Sequence, residues 1–225
     1  MTEKAELIAE IVAETAETAT LTGRQTLSPR LLAALEKVRR EAFVPEAEAN
    51  LAYVDSALPI GYGQTISQPF IVAIMTELLD LASDDVVLEI GTGSGYQAAI
   101  LAELVSKVYS IEVIPELAER AQRALVSEGY RNVEVKSGDG ALGWPDHAPY
   151  DAIIVTAATP KLPPALLMQL KPGGRMIAPV GPTHATQELV LTQKDMEGGV
   201  AHRPIMGVAF VPLVGDDRAK PMRRD

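Results

Sequence analysis

Short apolar runs alternate with segments of helical periodicity over residues 86–213. The apolar runs lie at 86–90, 108–112, 132–136, 151–156, 174–180, 187–193 and 206–211. The helical segments between them lie at 96–106, 115–128 and 163–170. Apolar runs that alternate with helices predict an α/β fold, a mostly parallel sheet covered on both faces. Because no helix separates 174–180 from 187–193, we expect an antiparallel pair at one edge.

The first 85 residues predict helices and irregular segments instead. An apolar stripe predicts a helix over 3–18, and Ser28 followed by Pro29 is a typical start of the next helix. A stretch rich in proline and glycine at 58–69 precedes a predicted helix at 70–81. No linker separates two cores, so we predict a single domain. Its predicted parts are an N-terminal helical extension, a core and a flexible tail, at residues 1–85, 86–214 and 215–225.

The apolar run at 86–90 ends in a turn with three alternate glycines. The turn and the acid before it comprise Glu89, Gly91, Thr92, Gly93, Ser94 and Gly95. Glycines allow a tight turn and the close approach of a ligand beside the next helix N-terminus, as in doubly wound Rossmann-like folds. From Glu89 the pattern matches methyltransferases that depend on S-adenosylmethionine (SAM). From Gly93 it also satisfies a loose dinucleotide fingerprint, and a bare turn is a third reading.

Two acids follow the next two predicted strands. Glu112 lies roughly 20 residues past the first glycine, which is the spacing of a ribose-binding carboxylate. The alternative is that Glu112 only caps the helix at 115–128. Asp139 and Gly140 follow the run at 132–136, where an acid can hold the amino edge of adenine, although Asp-Gly is also a common turn. Their positions relative to the glycine turn favour contacts with a cofactor.

Composition narrows the classes of partner. The chain has 225 residues, a net charge of −10 and 47% hydrophobic residues. Such an acidic chain without a basic run predicts no nucleic-acid partner. No segment approaches the roughly 20 apolar residues that span a bilayer, so we expect no membrane partner and a cytoplasmic location. The sequence contains no cysteine, and the scattered His147, His184 and His202 predict no metal site.

Seven short segments match the pattern of a known family. They read REAFVP at 40–45, GYGQTISQPF at 61–70, LEIGTGSGYQ at 88–97, GDG at 138–140, APYDAII at 148–154, LKPGG at 170–174 and FVPL at 210–213. With them the chain closely resembles the protein-L-isoaspartate O-methyltransferase family over nearly its whole length. The segment at 61–70 discriminates, because many methyltransferases share the glycine turn.

This resemblance implies methyl transfer from SAM to the α-carboxyl of L-isoaspartyl residues in damaged proteins, which starts their repair through a succinimide. It implies that Ser67 lies at the active site. The neighbours that it implies beside cofactor and substrate are Gln64, Thr65 and Ile66, and those along the substrate main chain are Gln68 and Pro69. The substrate loop then belongs to the extension at 1–85, and 86–214 is the cofactor-binding core. We expect a monomer whose partners are isoaspartyl proteins and peptides.

The expected chemistry requires little from the protein. An α-carboxyl with a pKa of about 3.3–3.7 is already an anion at neutral pH, so no general base is needed. We interpret Ser67 as a hydrogen-bond donor that orients this carboxylate, with a helix cap ahead of Pro69 as the alternative. Two other function classes stay open. A nicotinamide-dependent oxidoreductase would usually add a Tyr-x-x-x-Lys pair or a catalytic histidine, and a catalytically silent binding domain would not need residues 64–67.

Overall fold

The computed structural model describes residues 2–182, 185–213 and 215. His184 lies outside the described residues, and so does the predicted tail apart from residue 215. The helices are α1 (Glu3–Glu17), α2 (Ala19–Thr22), α3 (Pro29–Lys37), α4 (Pro69–Leu79), α5 (Tyr96–Ala102), α6 (Pro115–Ser127) and α7 (Pro164–Gln169). Short 3₁₀ helices cover Arg40–Phe43, Glu46–Leu51, Gly140–Leu142 and Pro145–His147. The strands are β1 (Leu58–Gly61), β2 (Gln64–Ile66), β3 (Val86–Ile90), β4 (Lys107–Glu112), β5 (Val133–Ser137), β6 (Tyr150–Val155), β7 (Leu170–Val180), β8 (Gln187–Lys194) and β9 (Val200–Val208).

Within the described residues, seven strands form the central sheet in the order β5-β4-β3-β6-β7-β8-β9. From β5 to β7 all neighbours are parallel, whereas β8 and β9 pair antiparallel. The α/β Rossmann-like fold with an antiparallel edge is therefore confirmed. The strand order reverses between β3 and β6, and ligands of such sheets bind at the carboxyl ends of the strands at this switch point.

The central strands are buried because apolar side chains cover both faces of the sheet. Along β6, Ile154 belongs to one apolar cluster and Ile153 to the other. Leu7 of α1 and Leu31 of α3 join the first cluster, together with side chains of α4, α5 and α6. Trp144 and α7 cover the second cluster. The N-terminal helices therefore share the core of the sheet and do not form a separate one.

Several element boundaries differ from the predictions. The helix predicted over 96–106 ends at Ala102, because Asn132 Nδ2 donates to the carbonyls of Ala102 and Val105, at 2.9 and 3.2 Å, and holds a turn there. The last strand begins at Val200, well before the apolar run at 206–211, since its exposed first half pairs with β8 through the backbone. No helix in the described ranges is long and apolar enough to cross a bilayer.

The irregular stretch at 58–69 also contains more structure than its composition indicated. Its two short strands, β1 and β2, pair antiparallel as a hairpin separate from the central sheet. The predicted start of α3 is confirmed, because Ser28 Oγ accepts a hydrogen bond from the Leu31 N–H at 3.3 Å and Pro29 is the first helical residue. Together these segments bring the hairpin to the edge of the sheet where β3 ends.

Candidate active site

The glycine turn lies directly after β3, at the carboxyl edge of the sheet. The N–H groups of Gly91 and Thr92 both donate to the carbonyl of Ile111, at 2.8 and 3.2 Å, which ties the turn to β4. Gly91 has φ +97°, and a Cβ at this residue would lie 2.5 Å from Thr156 Oγ1. The same Oγ1 donates to the carbonyl of Gly91 at 2.7 Å. Only glycine fits here, because the turn packs directly onto the end of β6.

Glu112 connects the turn after β3 with the turn after β4. Its Oε2 accepts a hydrogen bond from the Gly93 N–H at 2.8 Å, and its Oε1 accepts one from the Ile114 N–H at 3.0 Å. Ile114 is the N-cap residue of α6, so Glu112 does support the start of that helix. Burial raises the pKa of this carboxyl, and the hydrogen bonds from backbone N–H groups oppose that shift. Supporting the helix and facing the ligand cleft are compatible, because each carboxylate oxygen accepts more than one bond.

The hairpin of β1 and β2 lies beside the glycine turn. Arg120 of α6 donates a hydrogen bond to the carbonyl of Ile60 in β1. A Cβ at Gly93 would lie 3.5 Å from Ile60 Cδ1, so hairpin and turn are neighbours. The hairpin thereby presents residues 64–67 to the carboxyl edge of the sheet.

A buried arginine holds the backbone of Ser67. Arg40 is fully buried, and its Nη2 donates to the carbonyls of Ser67 at 2.9 Å and Ser56 at 3.2 Å. The guanidinium lies over the ring of Tyr96, 4.8 Å from the ring centroid. Arg40 belongs to the first of the seven family-like segments, but nothing in the sequence indicates that it packs behind Ser67.

Asp55 caps the helix that follows Ser67. Its Oδ1 accepts a hydrogen bond from the Phe70 N–H at 2.9 Å, and its Oδ2 accepts one from Gln68 Nε2 at 2.8 Å. Gln68 is the N-cap residue of α4 and makes no side-chain capping bond. The interpretation of Ser67 as a helix cap is therefore wrong, because the carboxylate of Asp55 caps the N-terminus of α4.

A cleft of about 750 Å³ opens between the hairpin, the glycine turn and the segment 211–213. The predicted site residues that line it are Gln64, Thr65, Ile66, Ser67, Gly91, Thr92, Gly93, Ser94, Glu112 and Gly140. Lining residues that sequence reasoning missed include Tyr96, Gln97, Ile114, Thr156 and 211–213. The last segment is pinned to the end of β6 by two backbone hydrogen bonds between Ala158 and its neighbours Val211 and Leu213, both 2.7 Å long.

A second groove, of about 1200 Å³, continues from the cleft past Ser67. The residues that line both are Thr65, Ser67, Thr156 and Val211. Gln68 lines the groove, as do Glu14 and Asp55. Burial and a hydrogen bond with Asp55 raise the pKa of Glu14 to about 7. Ser67 therefore lies where the cleft meets the groove.

Glu89 does not line the cleft. It is fully buried beneath the glycine turn, where its Oε2 forms a hydrogen bond with the Ser110 hydroxyl. Burial raises the pKa of this carboxyl to about 8. Direct contact of Glu89 with a cofactor, as the motif predicts, is therefore wrong for this structure. The side chain is covered because β3 lies in the centre of the sheet and both faces of this strand are buried.

Three other predicted residues also shape the site without lining the cleft. Gly95 is the buried N-cap residue of α5, and Pro69 is the buried first residue of α4. Asp139 Oδ1 accepts a hydrogen bond from the Ala141 N–H at 2.9 Å and caps a 3₁₀ helix, while the adjacent Gly140 reaches the cleft. Pro69 and Gly95 line neither the cleft nor the groove described above. The predicted contacts of Pro69 with substrate and of Gly95 with cofactor are therefore not made in this geometry. Contact of Asp139 with adenine stays a prediction.

The lining groups of the cleft fit SAM. Carboxylate oxygens of Glu112 suit ribose hydroxyls, and the hydroxyls of Thr92 and Ser94 suit a polar amino-acid end. A Cβ at Gly140 would lie 2.4 Å from Ile90 Cγ2, so the wall is closely packed where a flat ring could rest. Ile114 and Leu213 add apolar surface to the cleft.

A parallel sheet with a glycine turn after its first strand and an acid after its second defines a Rossmann-like α/β protein that binds a nucleotide cofactor. The family model for protein-L-isoaspartate(D-aspartate) O-methyltransferase matches residues 18–218. The chain belongs to this family. Protein-L-isoaspartate O-methyltransferase 2 of Syntrophobacter fumaroxidans is 54% identical to it over 94% of this chain and 86% of the relative. Protein-L-isoaspartate O-methyltransferase 1 of Nitrosospira multiformis is 57% identical over 82% and 78%.

Solved structures agree with this assignment. A protein-L-isoaspartate O-methyltransferase structure has a TM-score of 0.81 and 27% identity, and the match covers 95% of this chain and 66% of that longer chain. A Plasmodium falciparum structure in complex with S-adenosyl-L-homocysteine has a TM-score of 0.74 at 20% identity, over 91% and 97% of the two chains. The second likeness supports the fold alone.

Proposed function

We propose that this protein transfers the methyl group of SAM to the α-carboxylate of L-isoaspartyl residues in damaged proteins and peptides. Family membership over most of the chain supports the activity and its cofactor. The observation that carries the proposal is the position of Ser67, where the cleft meets the groove. The backbone amide nitrogen that follows the isoaspartyl residue then attacks the methyl ester, methanol leaves, and the succinimide that forms starts repair of the damaged residue.

The cleft holds the cofactor in this proposal. Glu112 binds the ribose hydroxyls, and Gly140 with its neighbour Asp139 borders the adenine. The turn residues that line the remaining wall are Gly91, Thr92, Gly93 and Ser94. Thr65 and Ile66 of the hairpin cover the cofactor from the opposite side. The donors are mostly backbone groups on a rigid turn, which suits a ligand that must be held in one orientation.

The groove holds the peptide in this proposal. Gln68 lines the groove and Gln64 lines the adjoining cleft, and amide side chains suit hydrogen bonds with a peptide main chain. The Ser67 hydroxyl donates to the substrate carboxylate and orients one oxygen toward the cleft. Arg40, fixed behind the Ser67 carbonyl, keeps that serine in place and adds a permanent positive charge to the side where the anion binds.

When bound, SAM supplies an electrophilic methyl group on a cationic sulfonium. The protein then needs no proton transfer, since the attacking carboxylate is an anion at neutral pH. Its residues bring the anion and the methyl group together and exclude water, and placement alone supplies a large part of such a rate enhancement. The hairpin and the segment 211–213 form the two walls that do this.

The end of β6 favours a carboxylate over an amine as the acceptor. Thr156, Ala157 and Ala158 follow this strand with only small or hydroxyl side chains. Methyltransferases that act on amino groups of bases or glutamine often carry an Asn- or Asp-Pro-Pro-aromatic run at this place. Here Thr156 is occupied by hydrogen bonds to the carbonyls of Ile90 and Gly91, so it supports the glycine turn.

The proposal also covers partners, oligomeric state, location and domain organisation. The protein works without a nucleic-acid partner, in keeping with its net charge of −10. It acts as a monomer, which light scattering would test. The cytoplasm is its proposed location. The parts at 1–85, 86–214 and 215–225 act as helical extension with substrate loop, as cofactor-binding core and as tail of one domain.

An assay with an isoaspartyl peptide tests the proposal. The protein is incubated with SAM labelled in its methyl group, and base treatment of the product should release volatile methanol, as a methyl ester does. The same peptide with a normal aspartyl residue is the control. Label that stays bound after base treatment, or equal labelling of the two peptides, would contradict carboxyl methylation of isoaspartate.

The variant Ser67→Ala tests the assigned role of the serine. We expect turnover of the isoaspartyl peptide to fall by roughly tenfold or more, because one hydrogen bond to a charged group is lost, while affinity for S-adenosylhomocysteine stays the same. Ser127→Ala, at the exposed end of α6, is the matched control. Turnover of Ser67→Ala equal to that of Ser127→Ala would remove Ser67 from the mechanism.

A further inference from the structure

Glu89, Ser110 and Thr92 form a chain of hydrogen bonds that runs from the interior of the sheet to the cofactor cleft. Ser110 Oγ lies in hydrogen-bond contact with Glu89 Oε2 and 2.6 Å from Thr92 Oγ1. Glu89 and Ser110 have no exposed surface, and Thr92 is 3% exposed. Of the three, Thr92 alone lines the cleft. Among the described residues, two hydroxyl groups therefore link the motif acid to the cleft.

The surroundings of Glu89 favour its neutral form. Its Oε1 has no hydrogen-bond partner among the described residues, and no cation compensates the carboxyl. The titratable group that acts on it is Glu112, on the neighbouring strand, and this group repels a second negative charge. Burial and this repulsion raise the pKa of Glu89 to about 8, while the bond with Ser110 opposes the shift. An ionised carboxylate with one oxygen unpaired would be costly at this position.

The position of the proton decides the direction of the whole chain. A proton on Oε2 is donated to Ser110, whereas a proton on Oε1 would find no acceptor in the described residues. Ser110 then accepts from Glu89, and its own hydrogen is donated to Thr92 Oγ1. Thr92 in turn keeps its hydrogen free for the cleft. If Glu89 is ionised, both hydroxyls must donate toward the carboxylate and Thr92 offers the cleft only lone pairs.

We propose that Glu89 is a neutral carboxylic acid in the working protein and that, through Ser110, it makes the Thr92 hydroxyl a hydrogen-bond donor to an oxygen of the bound cofactor. Glu89 is thus a positioning residue that acts without touching the ligand. This inference rests on the proposed use of the cleft for SAM, but not on the identity of the methyl acceptor.

Infrared spectroscopy of the protein without cofactor tests the protonation state directly. The spectrum of the wild type at pH 7 minus that of Glu89→Gln should contain the carbonyl band of one carboxylic acid, which disappears as the pH rises through about 8. Other carboxyl groups, such as Glu14, cancel in this difference. In Ser110→Ala the band should persist and move to higher frequency, because the carboxyl loses its hydrogen bond. A difference spectrum with a carboxylate band instead, at pH 7, would overturn the proposal.

Calorimetry with S-adenosylhomocysteine tests the link to the cleft. We expect the affinity of the wild type to weaken roughly tenfold between pH 7 and pH 9.5, the size expected for one lost hydrogen bond. Glu89→Gln should bind equally well at both pH values, because its amide N–H donates to Ser110 as the neutral acid does. Ser110→Ala should also lose the pH dependence, because no hydroxyl then connects Thr92 with the carboxyl. The pH dependence of the wild type, if it persists in Ser110→Ala, would overturn the relay.

Neither measurement involves an isoaspartyl substrate. If the infrared band is absent while the peptide is methylated, this inference fails and the proposed function stands. If the band and the binding results are as expected but no isoaspartyl peptide is methylated, the proposed substrate is wrong and the relay stands.

Discussion

Arg40 is a buried cation in the apolar interior, and this single residue holds the backbone of Ser67 in place. Its Nη2 holds the carbonyls of Ser56 and Ser67, while its Nε and Nη1 have no hydrogen-bond partner in the part of the chain that the structure describes. Burying a charge that is only partly paired costs stability. The guanidinium of Arg40 also stacks on the ring of Tyr96, and Tyr96 lines the cleft. The buried charge therefore contacts a wall of the active site.

The variant Arg40→Met should lower affinity for the peptide with little change in stability. Two hydrogen bonds from a charged donor are lost, but the cost of burying a partly paired charge is removed as well, so we expect the free energy of unfolding to change by no more than about 1 kcal/mol in urea titrations. Because the Ser67 carbonyl is released, KM for an isoaspartyl peptide should rise severalfold, while affinity for S-adenosylhomocysteine changes little. Arg123→Met, on the exposed face of α6, is the control. An unchanged KM would reduce Arg40 to a purely structural residue.

Glu89 also predicts a dependence of stability on pH. Its pKa is about 8 in the folded protein against an ordinary value of 4.5, so between these values the folded protein keeps a proton that the unfolded chain releases. Folding stability from this group is therefore full below about pH 4.5 and falls as the pH rises toward 8. Glu89→Gln removes this loss.

We expect the stability of Glu89→Gln relative to the wild type to increase by roughly 3 kcal/mol between pH 4 and pH 7. Urea unfolding at a series of pH values measures this difference, and contributions of other groups cancel between the two proteins. A difference that stays constant with pH would mean that Glu89 ionises normally.

At the scale of elements, short segments of different character meet at the end of β3. The alternation of strands and helices over residues 86–194 was predictable, because buried parallel strands are continuous apolar runs and the helices are periodic. The hairpin of β1 and β2 was not, since strands of four and three residues carry too little pattern. The segment 211–213 was recognised as family-like, but its place on the cleft depends on its pairing with Ala158.

The variant Gly93→Ala tests the turn as an element. Gly93 has φ +54°, and a Cβ there meets Ile60 Cδ1 at an ordinary 3.5 Å, so the strain falls on the backbone. We expect a stability loss of about 1–2 kcal/mol and a loss of cofactor affinity of at least tenfold, measured by calorimetry. Gly129, at the end of α6 and away from the cleft, has φ +90° and open space around an added Cβ. The control Gly129→Ala should therefore lower stability without changing cofactor affinity. Equal affinities in the two variants would exclude the turn from cofactor binding.

At the scale of the whole molecule, one apolar cluster joins the N-terminal helices to the sheet. Leu7, Leu31, Phe70 and Ile154 all belong to it. An extension that shares the core of the sheet should not unfold separately. The hairpin that covers the cleft is therefore supported from both sides, by α6 through Arg120 and by the turn after β3.

We accordingly expect a single thermal unfolding transition in scanning calorimetry. S-adenosylhomocysteine at 100 times its Kd should stabilise the protein by about 2.7 kcal/mol, which raises Tm by roughly 5–10 °C in a chain of this size. NADH at the same concentration should leave Tm unchanged. Two separate transitions would contradict the shared core, and a shift with NADH would revive the dinucleotide reading of the glycine turn.

The sequence by itself determined the alternating elements, the turn at 91–95, the acid at the end of β4 and the family, because each depends on local periodicity, backbone conformation or a short contiguous motif. Only the tertiary structure decided which side chains share the cleft. In that structure Arg40 lies behind Ser67, Asp55 caps α4, and the side chain of Glu89 is buried. These outcomes depend on contacts between segments far apart in the chain, and the packing of the sheet and its helices determines such contacts.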